Sequence, residues 1–546
     1  MKNIRGVSLP QLPNEIVVNA RRTRLDAFAV ALEGWRRGLK LKWYTKDSEH
    51  FKDMIIFGVN PPGRLFSLSS SERTHYFFRT RGDKVTNEAV ELAADKGVTK
   101  EILAKAKVPV PQGKGFTAEA TDEEIIQFSR SLTYPIVCKP TDASLGMGVV
   151  TNLQNEIEFK NALHYVRHEL GYDEIIVEEH AQGKEYRFYV VEDEVIAVYN
   201  RIPANITGDG IHTIEELIEM KNYERRQNAR LNSCLIHIDN EIKSFINEKG
   251  YDLDSVPKRG EYILLREKTN VSIGGDPIDV TDEIDDELKQ IAVDAVKAIP
   301  GLYHAGVDII VNDAEGEERT AVVLEINATA QIGGILFPLR GKARNIPAAI
   351  IDYYFPETKG IDTTNSKIYF DMSTVLEPME NRSALEVEVA PAPLGKLYAK
   401  KFSVKGNVTS ESYHRWLKRQ ALDLGLHGHV KTAVFDEIEI VVAGTDQQKV
   451  KQFKHIIPKY TRGTKVTRID AEVWNEPVTV GFDILEIYEI SRKGSGQHTL
   501  RRMEKEQIRL TRLRDRVQKD INHILNSTSW KVTKPLRLIK EKLRDN

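Results

Sequence analysis

The chain has 546 residues, 41% of them hydrophobic and 29% charged, with a net charge of −2. That length predicts two to four domains, and so even a charge balance predicts no partner, nucleic acid included. Cys138 and Cys234 are not in a CxxC pair, the first residues lack the apolar core of a signal peptide, and no stretch reaches the ~18 apolar residues of a membrane helix, which together fit a cytoplasmic protein without zinc or disulfides.

Residues 1–85 read as a small α/β unit, with core signals at Ile16-Val17-Val18, an amphipathic stretch over 25–35 and an apolar stretch over 54–58, punctuated by Pro10, Pro13 and Pro61-Pro62. Residues 86–105 are helical in pattern and stop before Val108-Pro109-Val110-Pro111, which must be extended. Strands and helices then alternate to about 356, which bounds a second domain over 86–356. Residues 357–395 form a mixed connector. A β-α-β-β-α-β pattern fills a domain over 396–480, with strands over 398–405, 428–433, 438–443 and 465–469 and helices over 411–424 and 446–456. A tail over 490–546 follows, with a basic helix predicted over 499–525. From Ser491 onward it carries 16 Lys/Arg against 6 Asp/Glu. The fold class expected is α+β.

The chemistry concentrates at a few places. Val322-Val323-Leu324-Glu325-Ile326-Asn327 reads as a buried strand, and its alternation puts Glu325 and Asn327 on one face. Asp308 ends a second apolar segment. Three hard oxygen ligands suit Mg²⁺, which prefers one or two carboxylates plus phosphates. A buried carboxylate satisfied by Arg or backbone is the open alternative. Lys139 closes a strand before a small-residue loop containing Ser144, Gly146 and Gly148, where backbone amides and the ammonium suit a phosphate; a simple turn is the alternative. Glu178, Glu179 and Ala181 at another strand end, followed by Glu185 and Arg187, suit an adenine edge and ribose hydroxyls, or else form a solvated acidic turn. Arg266 offers a planar fork for phosphoryl oxygens, or a surface salt bridge.

Taken in order, Asp95-Lys96…Thr99-Lys100, Pro109-Val110-Pro111, Cys138-Lys139-Pro140, Val177-Glu178…Glu185-Tyr186-Arg187, Arg266…Asn270 and Asp308…Glu325-Ile326-Asn327 resemble the ATP-grasp superfamily. Arg201-Ile202-Pro203-Ala204 and Gly208-Asp209-Gly210-Ile211-His212-Thr213 make the ATP-grasp domain of cyanophycin synthetases and bifunctional glutathione synthetases the nearest in kind. The resemblance implies an ATP-dependent carboxylate–amine ligase working through an acyl phosphate. Lys96 and Lys139 would hold phosphates, Glu178 and its neighbours adenine, and Glu185 the ribose. Asp308, Glu325 and Asn327 would hold two Mg²⁺, with Mn²⁺ an acceptable substitute. Ser144 to Gly148 would be a lid, and Arg266, Arg187 and Arg201 would line the reacting centre. The substrates implied are a carboxylate and an amine or amino acid, with an amino acid added to a peptide or cell-surface polymer precursor. A phosphotransferase and a non-catalytic polymer-binding scaffold stay open as alternatives, as does a homo-oligomer. Neither named family carries over whole. No GxxGK[ST] follows residue 357, where a cyanophycin synthetase has a further nucleotide loop, and 85 residues are too few for the ligase domain ahead of a bifunctional glutathione synthetase.

Val404-Lys405-Gly406-Asn407-Val408, Tyr413-His414-Arg415-Trp416 and 421–430 resemble acylphosphatase. His414 stands where that family has its catalytic Arg, Thr432 where it has Asn, and Glu411 in the phosphate loop, which implies a hydrolytically inactive relative. The tail sequence Asn526 to Arg537 is similar to tails of surface-polysaccharide glycosyltransferases, which implies a peripheral membrane or polysaccharide-synthesis partner.

Overall fold

The computed structural model describes residues 6–485 apart from 61, 142–147, 315–318, 435 and 461. Helices interleaved with mainly antiparallel sheets make it α+β. The helix Arg24–Arg36 opens the N-terminal part and has twelve buried residues out of thirteen. A helix apolar on every side needs cover on every side. Here the helix Ile346–Tyr354 and the strand Leu65–Ser69 provide it. The N-terminal sheet runs in the order Glu386–Glu388, Lys40–Tyr44, Leu65–Ser69, Thr74–Phe78, Arg81–Gly82. Its edge strand therefore comes from the stretch expected to be a connector. Ile16 and Val17 are buried in turns, while Val18 is exposed.

The helical pattern over 86–105 is two helices, Asn87–Ala94 and Lys96–Lys105. Asp95 between them is extended, and its carboxylate accepts from the amides of Gly97 and Val98, capping the second helix as the first ends.

Two sheets carry the candidate site. The first runs Gly113–Phe116, Ile175–Glu179, Ile136–Pro140, Val150–Leu153, with neighbours antiparallel. Strand alternation sends Ile136, Cys138, Ile175 and Val177 into a core with Ile125, Phe159 and Leu163 of the covering helices. It leaves Lys139 and Glu178 on the other face. The second sheet runs Asp276–Asp279, Glu194–Ile202, Lys184–Val191, His304–Asn312, Thr320–Asn327. Phe188, Val190, Val307 and Ile309 pack onto the helix Asp286–Ala298. The opposite face carries Glu185, Arg187, Arg201, Asp308, Glu325 and Asn327, and its Tyr189 and Tyr199 join the N-terminal core. A small lobe between Ile202 and Asp276 has its own core of Ile206, Ile218, Ile242, Ile246 and Ile263.

The C-terminal sheet runs Lys465–Val473, Tyr398–Asn407, Glu437–Gly444, His427–Val434, Phe482–Leu485. The helices Glu411–Asp423 and Gln447–Ile456 cover one face through Tyr413, Leu417, Val450 and Phe453. The last strand lies beyond the expected domain end at 480. Val441 and Ala443 on the other face join the N-terminal core, and Ile368–Tyr369 pairs in parallel with Val478–Thr479. The basic helix expected over 499–525 and the tail sequence after it lie outside the described residues. No helix among the described residues is long and apolar enough to cross a membrane.

Candidate active site

Asp308 is the centre of the second sheet's charged face. It lies directly opposite Arg187 on one neighbouring strand and Glu325 on the other. Arg187 donates through Nε to Oδ1 and, at 2.6 Å, through Nη2 to Oδ2 of Asp308. Arg201 Nη2 donates to Oδ2 at 2.7 Å and also to Glu185, whose other oxygen accepts from the Thr269 hydroxyl. Asp308 is 1% exposed and Arg187 7%. Burial alone would raise the Asp308 carboxyl, but Arg187 and Arg201 outweigh it and hold it far below the usual carboxylate range.

This corrects the expectation for Asp308 in part. The alternative of a buried carboxylate satisfied by Arg applies to Asp308, since both its oxygens are engaged by guanidiniums. It does not apply to Glu325, whose side chain is 38% exposed, with Arg187 Nη2 at 3.8 Å and Asn327 Nδ2 donating to it at 3.0 Å. Among the described residues no group of three or more His, Cys, Asp or Glu is gathered tightly enough to hold a metal by itself. Glu325 and the Asn327 amide oxygen, with Asp308 beside them, nevertheless form a hard-oxygen donor set facing one way. Three carboxylates (Glu185, Asp308, Glu325) against two guanidiniums leave the face net negative. That set fits Mg²⁺ in the form this ion prefers, with few protein ligands and the rest from phosphates and water.

On the first sheet, Glu178 is 5% exposed and receives Lys139 Nζ on Oε1 and Lys100 Nζ, at 2.8 Å, on Oε2. Burial opposes the charged carboxylate, and the two ammonium groups override it, lowering its pKa. Burial in turn pulls the Lys100 ammonium below its usual range against the pull of Glu178. The carboxylate expected to meet adenine is thus the counter-ion of two lysines, because a buried carboxylate needs partners. The lysine brought to Lys139 is Lys100, one helical turn beyond Lys96. Lys96 is the first residue of its helix and half-buried. Alternation turns the Glu179 side chain to the opposite face, where it accepts from the Thr133 amide at 2.9 Å. Ala181 is half-buried in the loop that follows.

Arg266 is held by partners other than the Asp308 group. It is 3% exposed and donates to Asp239 at 2.9 Å, Glu241 at 2.7 Å and the His237 carbonyl at 3.1 Å. These bonds fix it to the start of the helix Asn240–Asn247, so in this structure it braces the small lobe. Its Nε is buried without an acceptor among the described residues. Ser144 and Gly146 lie outside the described residues. Gly148 has φ +67°, and a Cβ there would come within 2.8 Å of Pro140 Cγ, so the loop re-enters the sheet where only glycine fits. Thr269 and Lys100 are the polar contacts that strand and motif reasoning gave no role; Lys100 at four residues from Lys96 was the available signal.

Residues 93–209 match the RimK-like ATP-grasp domain and residues 400–484 match acylphosphatase. The glutathione biosynthesis bifunctional protein GshAB of Enterococcus faecalis is 33% identical over 316 residues, covering 56% of this chain and 41% of that protein. The cyanophycin synthetase of Trichormus variabilis is 37% identical over 281 residues, covering 51% of this chain and 31% of that protein. A crystal structure of a bifunctional glutathione synthetase from Pasteurella multocida aligns with a TM-score of 0.44 at 30% identity, covering 54% of this chain and 41% of that one. The chain spans less than half the length of these curated relatives.

Proposed function

The chain carries an ATP-grasp domain of the RimK-like kind followed by an acylphosphatase-like domain, and we infer that it is an ATP-dependent ligase joining a carboxylate to an amine. A substrate carboxylate oxygen takes the γ-phosphoryl group and ADP leaves. The amine nitrogen then attacks the carbonyl carbon, inorganic phosphate departs, and the nitrogen loses a proton to give the amide.

The observation that carries this reading is the single face holding Arg187, Arg201, Asp308, Glu325 and Asn327. Phosphoryl transfer needs positioning and charge neutralisation more than a nucleophilic side chain. Lys100 and Lys139 would meet the nucleotide phosphates, exchanging part of their contact with Glu178. Glu325 and Asn327, with Asp308 beside them, would hold Mg²⁺, which supplies charge neutralisation across the phosphates. Arg187 and Arg201, locked on Asp308, keep that carboxylate ionised and fixed.

The substrate is an amino acid or peptide, or a precursor of a cell-surface polymer. Support comes from relatives named for glutathione and cyanophycin synthesis. The acylphosphatase-like domain serves this reaction without hydrolysing acyl phosphates, since an active hydrolase would destroy the intermediate.

The test is ADP release by the full chain with Mg²⁺ and ATP, screened across amino acids and uronic-acid sugars, with mass spectrometry of the products. A ligase releases ADP only when carboxylate and amine are both present. ADP release with one acceptor alone and a stable phosphate ester would replace the ligase with a kinase, and no release under any condition would favour a scaffold.

A further inference from the structure

Beside the Asp308 face lies a second group of guanidiniums that the reaction described above does not use. Arg79 is 7% exposed and donates to Asp26 at 2.6 Å, while its Nε is buried with no acceptor. Its φ of +59° is in the left-handed region. Arg64 is half-buried, and its recorded acceptor is the Thr23 hydroxyl, at 2.6 Å from Nη2. Arg230 is 8% exposed and donates to Gln331 at 2.8 Å. Among the described residues neither Arg64 nor Arg230 has a carboxylate partner, so Asp26 is the one carboxylate for three arginines.

These residues are neighbours. The Arg79 amide donates to the Arg64 carbonyl at 2.9 Å. Asp26 accepts from the Ile332 amide at 3.1 Å, next in sequence to the Gln331 that holds Arg230. The group also adjoins the reacting face. Thr80 donates to the Ala330 carbonyl at 3.2 Å, and Ala330 packs with the Arg187 side chain around Gly306. Burial, with Arg79 and Arg24 nearby, lowers Arg64, which is the condition of a cation waiting for an anion.

We propose that Arg64, Arg79 and Arg230 form an anion subsite that anchors a carboxylate or phosphate group of the substrate, remote from the carboxyl that reacts. Its placement along the substrate rests on the ligase reading; the anion binding itself does not. Guanidiniums shielded from water make strong paired hydrogen bonds to either oxyanion. The substrate class is therefore a carboxylate bearing a second anionic group, and a neutral-tailed monocarboxylate is a poor substrate.

The experiment is calorimetric titration of the full chain, with ADP and Mg²⁺ present, by glutarate and separately by inorganic phosphate. At least one of them binds the wild type. Arg64→Gln and Arg230→Gln each weaken that binding about tenfold or more, Arg64→Lys retains more of it than Arg64→Gln, and the control Arg226→Gln, at an exposed arginine paired with Glu219 at 2.7 Å, does not change it. Binding of glutarate alone identifies a carboxylate subsite and binding of phosphate alone a phosphate subsite. The proposal is overturned if neither anion binds, or if both glutamine variants bind like wild type. Should Arg230→Gln unfold, Arg64 alone carries the test, since it is less buried and bound to a hydroxyl. ADP binding is read in the same titrations. Loss of anion binding in the variants without any ADP binding to the wild type would sink the ligase and leave the subsite; ADP binding without an anion effect would do the reverse.

Discussion

Gly306 makes room for Arg187. It sits on the strand beside Arg187's own, and a Cβ built on it would stand 3.0 Å from Arg187 Cδ and 2.6 Å from the Ala330 Cβ. Gly306→Ala therefore requires Arg187 or the 328–332 segment to move. Overpacking of this kind costs about 1–3 kcal/mol. A guanidinium displaced by a fraction of an ångström loses its two-pronged grip on Asp308. The expected result is a lower unfolding midpoint by thermal melting together with a loss of ADP formation larger than the stability loss explains. A variant with wild-type turnover would show that the position of Arg187 is unimportant.

Glu178 and its two lysines give a pH signature. The folded carboxyl titrates below the usual 4.5, because Lys139 and Lys100 outweigh its burial. Its contribution to stability is thus complete above about pH 4.5 and is lost as the pH falls through the lower folded value. Glu178→Gln removes this contribution, so its stability profile between pH 5 and 3 is flatter than the wild type's. Parallel profiles for the two proteins in denaturant titrations across that range would contradict the ion-pair assignment.

Much of this arrangement is legible in the sequence because it depends on local rules. Alternation alone puts Glu325 with Asn327 and separates Glu178 from Glu179. The β-α-β-β-α-β order after 396 follows from periodicity and short turns. What escapes is set by contacts distant in the chain. The choice of Lys100 over Lys96 depends on how the helix Lys96–Lys105 lies on a sheet whose strands begin at Gly113. For Arg266 a salt bridge stays one of two open readings until Asp239 and Glu241, 27 and 25 residues away, are placed beside it. The strand Glu386–Glu388 reads as linker because its partner, Lys40–Tyr44, lies more than three hundred residues earlier.

Asp308 and Glu325 face each other across paired strands, yet their amides should behave differently. Asp308→Asn leaves the buried Arg187 without its close charge partner, while Arg201 keeps Glu185, and breaking such a buried pair costs about 3–5 kcal/mol. Glu325 is part-exposed, so Glu325→Gln should change stability by about 0.5 kcal/mol or less. Its effect falls on the reaction, where losing one charge-stabilising group lowers kcat by roughly 10²–10³. Denaturant midpoints and steady-state ADP release, measured on both variants, separate the two roles. Equal destabilisation of both would remove Glu325 from the ion-binding face.

His414 decides whether the C-terminal domain can act on an acyl phosphate. It is buried at 5% exposure, its Nε2 has no partner, and burial lowers its pKa, so it is neutral at pH 7 and offers no charge to an anion. Arg415, the next residue, is exposed and paired with Glu411 at 2.5 Å on the solvent side of the helix Glu411–Asp423. The full chain is therefore expected to release phosphate from acetyl or benzoyl phosphate no faster than buffer does, and Arg415→Ala leaves that rate unchanged. Hydrolysis well above background that disappears in Arg415→Ala would make Arg415 the working cation and the domain an active hydrolase.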